Sequence, residues 1–160
     1  MRRFWINLIV RAAVFPGVWW IRRQESLILR DGRALSEWET NWALQVGVSC
    51  PEEVRVLPVP RVPVPGANFL KLLAGMSRIA VDSPTGMAVN RGIYLEASHA
   101  TNPSLLVHEL VHVAQFEKLG SIGAFLKEYL TQCIEDGYWD CEMEEEARAA
   151  AAPFSRPPDR

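Results

Sequence analysis

The residues best suited to chemistry lie in the stretch H-E-L-V-H at positions 108–112. Residues four apart on an α-helix lie one turn above each other, so His108 and His112 can direct imidazole nitrogens at one point. A Zn²⁺ ion at that point would lie about 2.0 to 2.1 Å from each nitrogen. Glu109 projects roughly 100° further around the helix, where its carboxylate can reach a water beside the metal but not the metal itself. The spacing therefore predicts a zinc site with Glu109 as general base.

This spacing has meaning only on a helix, and the flanking residues supply the ends of one. Asn102 is suited to cap the N-terminus, with Pro103 at the first helical position, and Gly120 is suited to end the helix. Apolar residues recur between these ends on a broad surface that would be buried in a core. His and Glu are both uncommon on such a surface, which favours a metal site over core histidines that only satisfy hydrogen bonds.

A catalytic zinc site needs a third protein ligand and one open coordination position. The longer pattern H-E-x-x-H-x-x-G-x-x-H would supply a third histidine from the same helix. Here Gln115 replaces its glycine and Lys118 replaces its last histidine. The third ligand must therefore come from another segment.

The acidic run at 142–146 offers candidates for that ligand, at the start of a helix predicted over 142–152. The apolar residues of this helix form one stripe. Glu144 lies roughly 20° outside one edge of the stripe, and Glu146 lies roughly 40° outside the other. A ligand must face the core, so Glu144 is the leading candidate and Glu146 the alternative.

The two segments together resemble the gluzincin branch of the zincin metallopeptidases, in which H-E-x-x-H is completed by a glutamate of an E-x-x-A pattern on the next helix. The matching residues are His108, Glu109 and His112, then Glu144 and Ala147. The resemblance implies three zinc ligands, His108, His112 and Glu144. It also implies that Glu109 is the base in peptide-bond hydrolysis.

The resemblance covers about the last half of the chain and includes residues 86–95, which look like the edge strand that precedes this helix in small bacterial zincin-like proteins. It departs from the family at Arg148. Many gluzincins have an aspartate there, which orients a zinc-binding histidine. The residue that orients a histidine in this chain is therefore unassigned.

Together these features predict one α+β domain over 1–160. The expected architecture is zincin-like, with a small antiparallel sheet packed on the H-E-x-x-H helix and further helices before and after it. We divide it into a basic, aromatic helical segment at 1–30, a helix with the small sheet at 31–100, and a zinc-binding helical part at 101–152.

Two more helices are predicted from caps and periodicity. Ser36, followed three residues later by Glu39, predicts a capped helix whose Trp38 and Trp42 face the core. An amphipathic pattern predicts another helix over 122–134.

The strands are predicted around a proline-rich stretch. Residues 54–57 read as a strand that then alternates with prolines, which indicates an edge strand or an extended connector. A short helix is expected at 67–75 and strands at 77–82 and 87–95. An exposed edge beside the H-E-x-x-H helix could bind an extended peptide as an added strand.

Three side chains are candidates for stabilising the oxyanion of a peptide-hydrolysis transition state. They are Tyr94, His99 and Tyr138. Tyr138 is the first choice because it immediately precedes the helix that carries the third ligand.

The N-terminal residues 4–21 are apolar and aromatic, with arginine pairs on both sides. Arg11 and Pro16 make the run a poor membrane span, and Arg11 also interrupts a secretory signal. We predict a core helix that ends near Phe15. The alternative is an interfacial helix that gives residues 1–23 a peripheral membrane contact.

Composition sets the remaining expectations. The chain is 49% hydrophobic and 22% charged, as is ordinary for a globular protein, and its net charge of −2 provides no general attraction to nucleic acid. Cys133 and Cys141 are expected to be reduced, and the protein to be cytoplasmic.

The sequence thus predicts a zinc-dependent metallopeptidase that acts on a peptide or protein substrate. The alternative is a non-catalytic zincin-like protein that uses the fold as a structural or interaction module.

Overall fold

The computed structural model describes residues 2–66 and 84–155 of the chain. These residues form an α+β fold with five α-helices and a four-stranded sheet, which confirms the predicted class. The helices are α1 (Arg2–Asp31), α2 (Glu37–Gln45), α3 (Pro103–Leu119), α4 (Ile122–Glu135) and α5 (Glu142–Ala151). The strands are β1 (Arg33–Ala34), β2 (Arg55–Val59), β3 (Gly86–Val89) and β4 (Gly92–Glu96). The helix predicted at 67–75 and the strand predicted at 77–82 lie outside the described residues.

Helix α3, which carries the H-E-x-x-H residues, has the predicted ends. The Asn102 side chain accepts hydrogen bonds from the amides of Ser104 and Leu105, and Gly120 closes the helix with a positive φ of 76°. Glycine suits that left-handed conformation because it has no Cβ. The helix packs on the sheet on one side and on α5 on another, so it is held at the centre of the fold.

The sheet is mixed, and the expectation of an antiparallel sheet is wrong for one strand pair. The spatial order is β1-β2-β4-β3; β2 and β4 run parallel, whereas the other two pairs are antiparallel. The chain leaves β2, reaches the far side of the sheet at β3, and turns back through a hairpin. Strand β4 therefore enters between β3 and β2 in the same direction as β2.

The strand predicted at 87–95 is two strands of this hairpin. Asn90 adopts a positive φ of 61°, a left-handed conformation that asparagine tolerates better than most residues. The chain reverses there, and Gly86 pairs with Leu95 at the open end of the hairpin.

The expectation that the proline-rich strand lies at an edge or forms a connector is wrong for its first residues. In β2, Arg55 and Val56 pair with β1 on one side, while the whole strand pairs with β4 on the other. Pro58 lies beyond the end of β1, so its missing amide costs no hydrogen bond to that strand. Two-residue β1 thus lets a proline-containing strand lie inside the sheet.

Helix α2 begins with the predicted capping box. The Ser36 side chain accepts a hydrogen bond from the Glu39 backbone amide, and the Glu39 side chain accepts one from the Ser36 backbone amide. The prediction that Trp38 faces the core is wrong, because its side chain is 73% exposed. The helix instead buries Ala43, with Trp42 half-buried beside it. Trp38 lies roughly 100° around the helix from the centre of that buried face.

Helix α1 is continuous, so the predicted break after Phe15 is wrong. Pro16 lies inside the helix on its exposed side. A proline removes one hydrogen bond to the carbonyl four residues earlier, which here belongs to exposed Ala12. Solvent can reach that carbonyl, and the buried side of the helix continues undisturbed. By length and composition, α1 is also long and apolar enough to cross a membrane.

Candidate metal centre

Helices α3 and α5 bring His108, His112 and Glu144 together. The two imidazole Nε2 atoms lie 3.2 Å apart. The carboxylate of Glu144 faces both rings, with Oε2 at 3.3 Å from His108 Nε2 and Oε1 at 3.4 Å from His112 Nε2. Three ligand atoms at about 2.0 to 2.1 Å from one tetrahedral ion lie roughly 3.3 to 3.4 Å apart. The three side chains could hold a metal ion.

The state of the Glu144 carboxylate supports that fit. Its side chain is 2% exposed, and Oε2 has no hydrogen-bond partner in the described structure. His108 Nε2 at 3.3 Å and Arg148 Nη1 at 4.0 Å lie near this oxygen without forming a hydrogen bond to it, and a buried carboxylate oxygen that lacks a hydrogen bond is costly. A cation between the two imidazoles and Glu144 would supply the missing interaction.

The electrostatics of the three residues are consistent with a site for positive charge. Burial alone would raise the pKa of Glu144, but His108 and His112 outweigh it and hold that pKa well below its usual range. Burial alone would lower the pKa of His112, yet Glu144 and Glu109 raise it to about 9. The same negative surroundings that favour a protonated imidazole also favour a bound metal cation.

Gln115 fills the orienting position that the sequence left unassigned. Its Oε1 lies 2.8 Å from His112 Nδ1, and its side-chain amide donates to the Met143 carbonyl at 3.1 Å and to Glu146 Oε2 at 2.7 Å. With Nδ1–H donated to Gln115, His112 keeps the lone pair on Nε2 for a metal. The spacing to His112, three residues along the same helix, was the available signal.

Tyr129 on α4 is a second supporting residue that sequence reasoning missed as part of the site. Its hydroxyl donates to Glu144 Oε1 at 2.7 Å, and its ring lies 6.1 Å from that of His112 in an edge-to-face arrangement. The amphipathic pattern of this helix carries no signal for that partner. Tyr129 therefore fixes the carboxylate and one imidazole together.

Glu109, the predicted base, lies beside the metal-binding group and is 4% exposed. Burial raises the pKa of its carboxyl. The carboxylate accepts a hydrogen bond from the Ala88 amide of β3, and a Cβ on Gly86 would lie 2.6 Å from its Oε1. A glycine at position 86 therefore leaves the space that this carboxylate occupies.

A cleft of about 480 Å³ opens onto these residues. Tyr138 lines it together with His108, Glu109 and Glu144. Burial raises the pKa of Tyr138, which keeps its hydroxyl protonated and able to donate.

Arg148 also lines the cleft and has its own contacts there. Its Nη2 donates to the Trp139 carbonyl, its guanidinium lies 5.6 Å from the centre of the Trp139 ring, and its Nη1 lies 4.0 Å from Glu144 Oε2. In the described structure these contacts of the arginine are with Trp139 and Glu144, not with either histidine.

The other candidates lie elsewhere. Tyr94 is buried in the core and donates its hydroxyl to Gln24 at 3.1 Å, and His99 pairs with Glu96 at 3.3 Å on the surface. Neither lines the cleft, so the structure does not place them where an oxyanion would form. Glu146, the alternative third ligand, accepts a hydrogen bond from Gln115, whereas the two histidines face Glu144.

The two cysteines that flank the loop before α5 are free and buried. Cys133 Sγ and Cys141 Sγ lie 3.7 Å apart. Their spacing in the sequence alone does not predict this contact.

No protein-family model, curated protein or solved structure matches this chain.

Proposed function

We propose that this protein is a zinc-dependent metallopeptidase of the gluzincin type. The observation that carries the proposal is the position of Glu109: a buried carboxylate adjoins a convergent His108, His112 and Glu144 group at the base of an open cleft. A purely structural metal site has no use for a carboxylate that faces the cleft without belonging to the ligands. The combination is what metal-assisted hydrolysis requires.

The donor set of two imidazoles and one carboxylate suits zinc. Zinc, when bound, supplies a Lewis acid that acidifies water and polarises a carbonyl. Glu109 takes the proton from the attacking water at a carboxylate oxygen and passes it to the leaving amine. Its raised pKa favours holding that proton between the two transfers. Gln115 and Tyr129 hold the ligands in place during the reaction.

The substrate in this proposal is a peptide or an extended segment of a protein. Pro84, Thr85 and Gly86 line the cleft where β3 begins, and Tyr138 also lines it. Strand β3 lies at an edge of the sheet, so a peptide laid along it can form hydrogen bonds with its backbone groups. Tyr138, as a protonated donor, would bond to the oxyanion.

We place this activity in the cytoplasm. The proposal is consistent with Cys133 and Cys141, whose sulfurs lie 3.7 Å apart without a disulfide, because a reducing compartment keeps such a pair as thiols.

The experiment that tests the proposal is turnover of a peptide library by zinc-loaded protein, with wild type compared to Glu109→Gln. Wild type should cleave a subset of peptides, and the variant should lose turnover by at least about 100-fold while it keeps its zinc. Glu145→Gln, a change at an exposed acid on α5, is the matched control and should retain activity. Equal cleavage by Glu109→Gln and wild type would remove the base assignment.

A further inference from the structure

The outward side of α1 carries large apolar side chains that the metal centre does not use. We call them the outer face of α1: Phe4, Trp5, Leu8, Phe15 and Trp19. Their side chains are 51% to 84% exposed. At 100° per residue, all but Trp5 fall within a sector of about 60°. So many large apolar groups rarely share an exposed surface that has no partner.

Arginines border this face, and acids are missing from it. Arg11, Arg22 and Arg23 are exposed, and residues 4–24 contain no Asp or Glu. The Arg23 guanidinium lies 5.8 Å from the centre of the Trp19 ring. Tryptophans beside arginines on one side of a helix are typical of helices that lie at the headgroup level of a bilayer.

We propose that the outer face of α1 docks the protein on the surface of an anionic lipid bilayer, with the helix parallel to the membrane plane. From Phe4 to Trp19 the helix extends over about 22 Å. Its apolar side chains enter the boundary between headgroups and acyl chains, and the arginines contact anionic headgroups. Because this segment carries positive charge without acidic residues, the surface that it contacts should be negatively charged.

The inner side of α1 determines that the helix lies on the bilayer and does not cross it. Ile6 and Val10 are buried in a cluster with Leu130 of α4. Gly17 lets α4 approach so closely that an added Cβ would lie 2.9 Å from Leu126. Gln24 is buried and bonded to Tyr94 of β4. A spanning α1 would have to separate from these partners or take the exposed charges of α4 into hydrocarbon.

Co-sedimentation of the full chain with lipid vesicles tests this proposal. Wild type should bind vesicles of equimolar phosphatidylcholine and phosphatidylserine. Two sets of exposed changes, Phe15→Gln with Trp19→Gln, and Arg11→Gln with Arg22→Gln and Arg23→Gln, should each weaken binding. The triple arginine change should do so on the order of 100-fold, since each arginine near an anionic surface contributes about a fivefold factor.

Trp38→Gln is the matched control, because Trp38 is equally exposed but lies on α2. This variant should bind as wild type does. The proposal is overturned if wild type does not bind the anionic vesicles, or if it binds them as well after both sets of changes. It is also overturned if gel filtration shows a dimer that Phe15→Gln disperses and vesicles do not compete for, since a second copy would then occupy the face. None of these results depends on peptidase activity.

Discussion

At the scale of single residues, the position of Glu109 depends on an absent side chain. Gly86→Ala would place a methyl group 2.6 Å from Glu109 Oε1 and 3.0 Å from Leu105 Cδ1. The end of the glutamate can shift, so we expect little loss of stability. Misplacement of a base by a fraction of an ångström to 1 Å slows catalysis, and peptide turnover should fall by about 10- to 100-fold with zinc retained.

The control for this change is Gly123→Ala on α4, where a Cβ would make ordinary contacts at 3.8 Å and 3.9 Å from two valines of α1. Its turnover should match wild type. Wild-type turnover in Gly86→Ala would show that the carboxylate position seen here does not matter for the reaction.

A second prediction concerns the hydrogen bond between Gln115 and His112. Gln115→Met fills a similar volume but cannot accept from Nδ1, so the imidazole loses the partner that orients it. Zinc affinity should fall by about 10- to 100-fold, measured by competition with a chelating dye. Glu146→Gln, which alters only the other end of the Gln115 network, should change the affinity much less. Unchanged affinity in Gln115→Met would contradict the role assigned to this residue.

The site could be predicted from the sequence to the extent that one helix determines it. The spacing of His108, Glu109 and His112 is a property of α3 alone, and the angular position of Glu144 is a property of α5 alone. The partners Gln115 and Tyr129 acquire their roles only when α4 and α5 pack against α3. The sequence carries no local signal for the angle and distance at which helices meet.

At the scale of elements, α2 offers a test of its cap. Partial burial alone would raise the pKa of Glu39, but hydrogen bonds from Arg33 and from the Ser36 amide lower it. Glu39→Gln keeps a capping side chain and removes the charge. It should reduce the free energy of unfolding by less than about 1 kcal/mol at neutral pH, since solvent reaches the Arg33 side of the ion pair and screens it.

The pH dependence of that loss follows from the direction of the shift. A lowered folded-state pKa gives stability that is complete above the unfolded pKa, about 4.3, and disappears as the pH falls through the lower folded value. Urea unfolding at neutral and at acidic pH should therefore show a difference between wild type and Glu39→Gln only at neutral pH. Glu37→Gln controls for loss of a charge in the same turn; a difference of the same size at acidic pH would contradict this account.

The elements differ in how well local pattern predicts them. The caps at Ser36, Asn102 and Gly120 depend only on residues close by in the sequence, and the helices begin and end there as expected. Pro16 did not predict the end of α1, and Pro58 did not predict an edge strand. A proline is tolerated wherever its missing amide faces solvent or lies past the end of a neighbouring strand. Which side of an element is covered depends on the tertiary structure.

At the scale of the whole molecule, a metal ion would join helices that the chain brings together from distant positions. Its ligands come from α3 and α5, so zinc binding should stabilise the fold. At free zinc about 100-fold above its dissociation constant, the gain is about 2.7 kcal/mol. For a chain of this size that corresponds to a rise of roughly 5 to 10 °C in melting temperature.

Thermal unfolding with added zinc and with chelator measures this effect. Wild type should show the rise and lose it with the chelator, whereas Glu144→Ala should melt at the same temperature in both conditions. An equal shift in Glu144→Ala would mean that zinc acts at another place on the protein.

The most direct test of the central claim is the zinc content of the purified, reconstituted protein. Elemental analysis should find one zinc per chain in wild type and in the control Glu146→Ala. His108→Ala and Glu144→Ala should contain none. Wild-type protein without zinc, or both ligand variants with full zinc, would contradict the metal centre on which the proposed function rests.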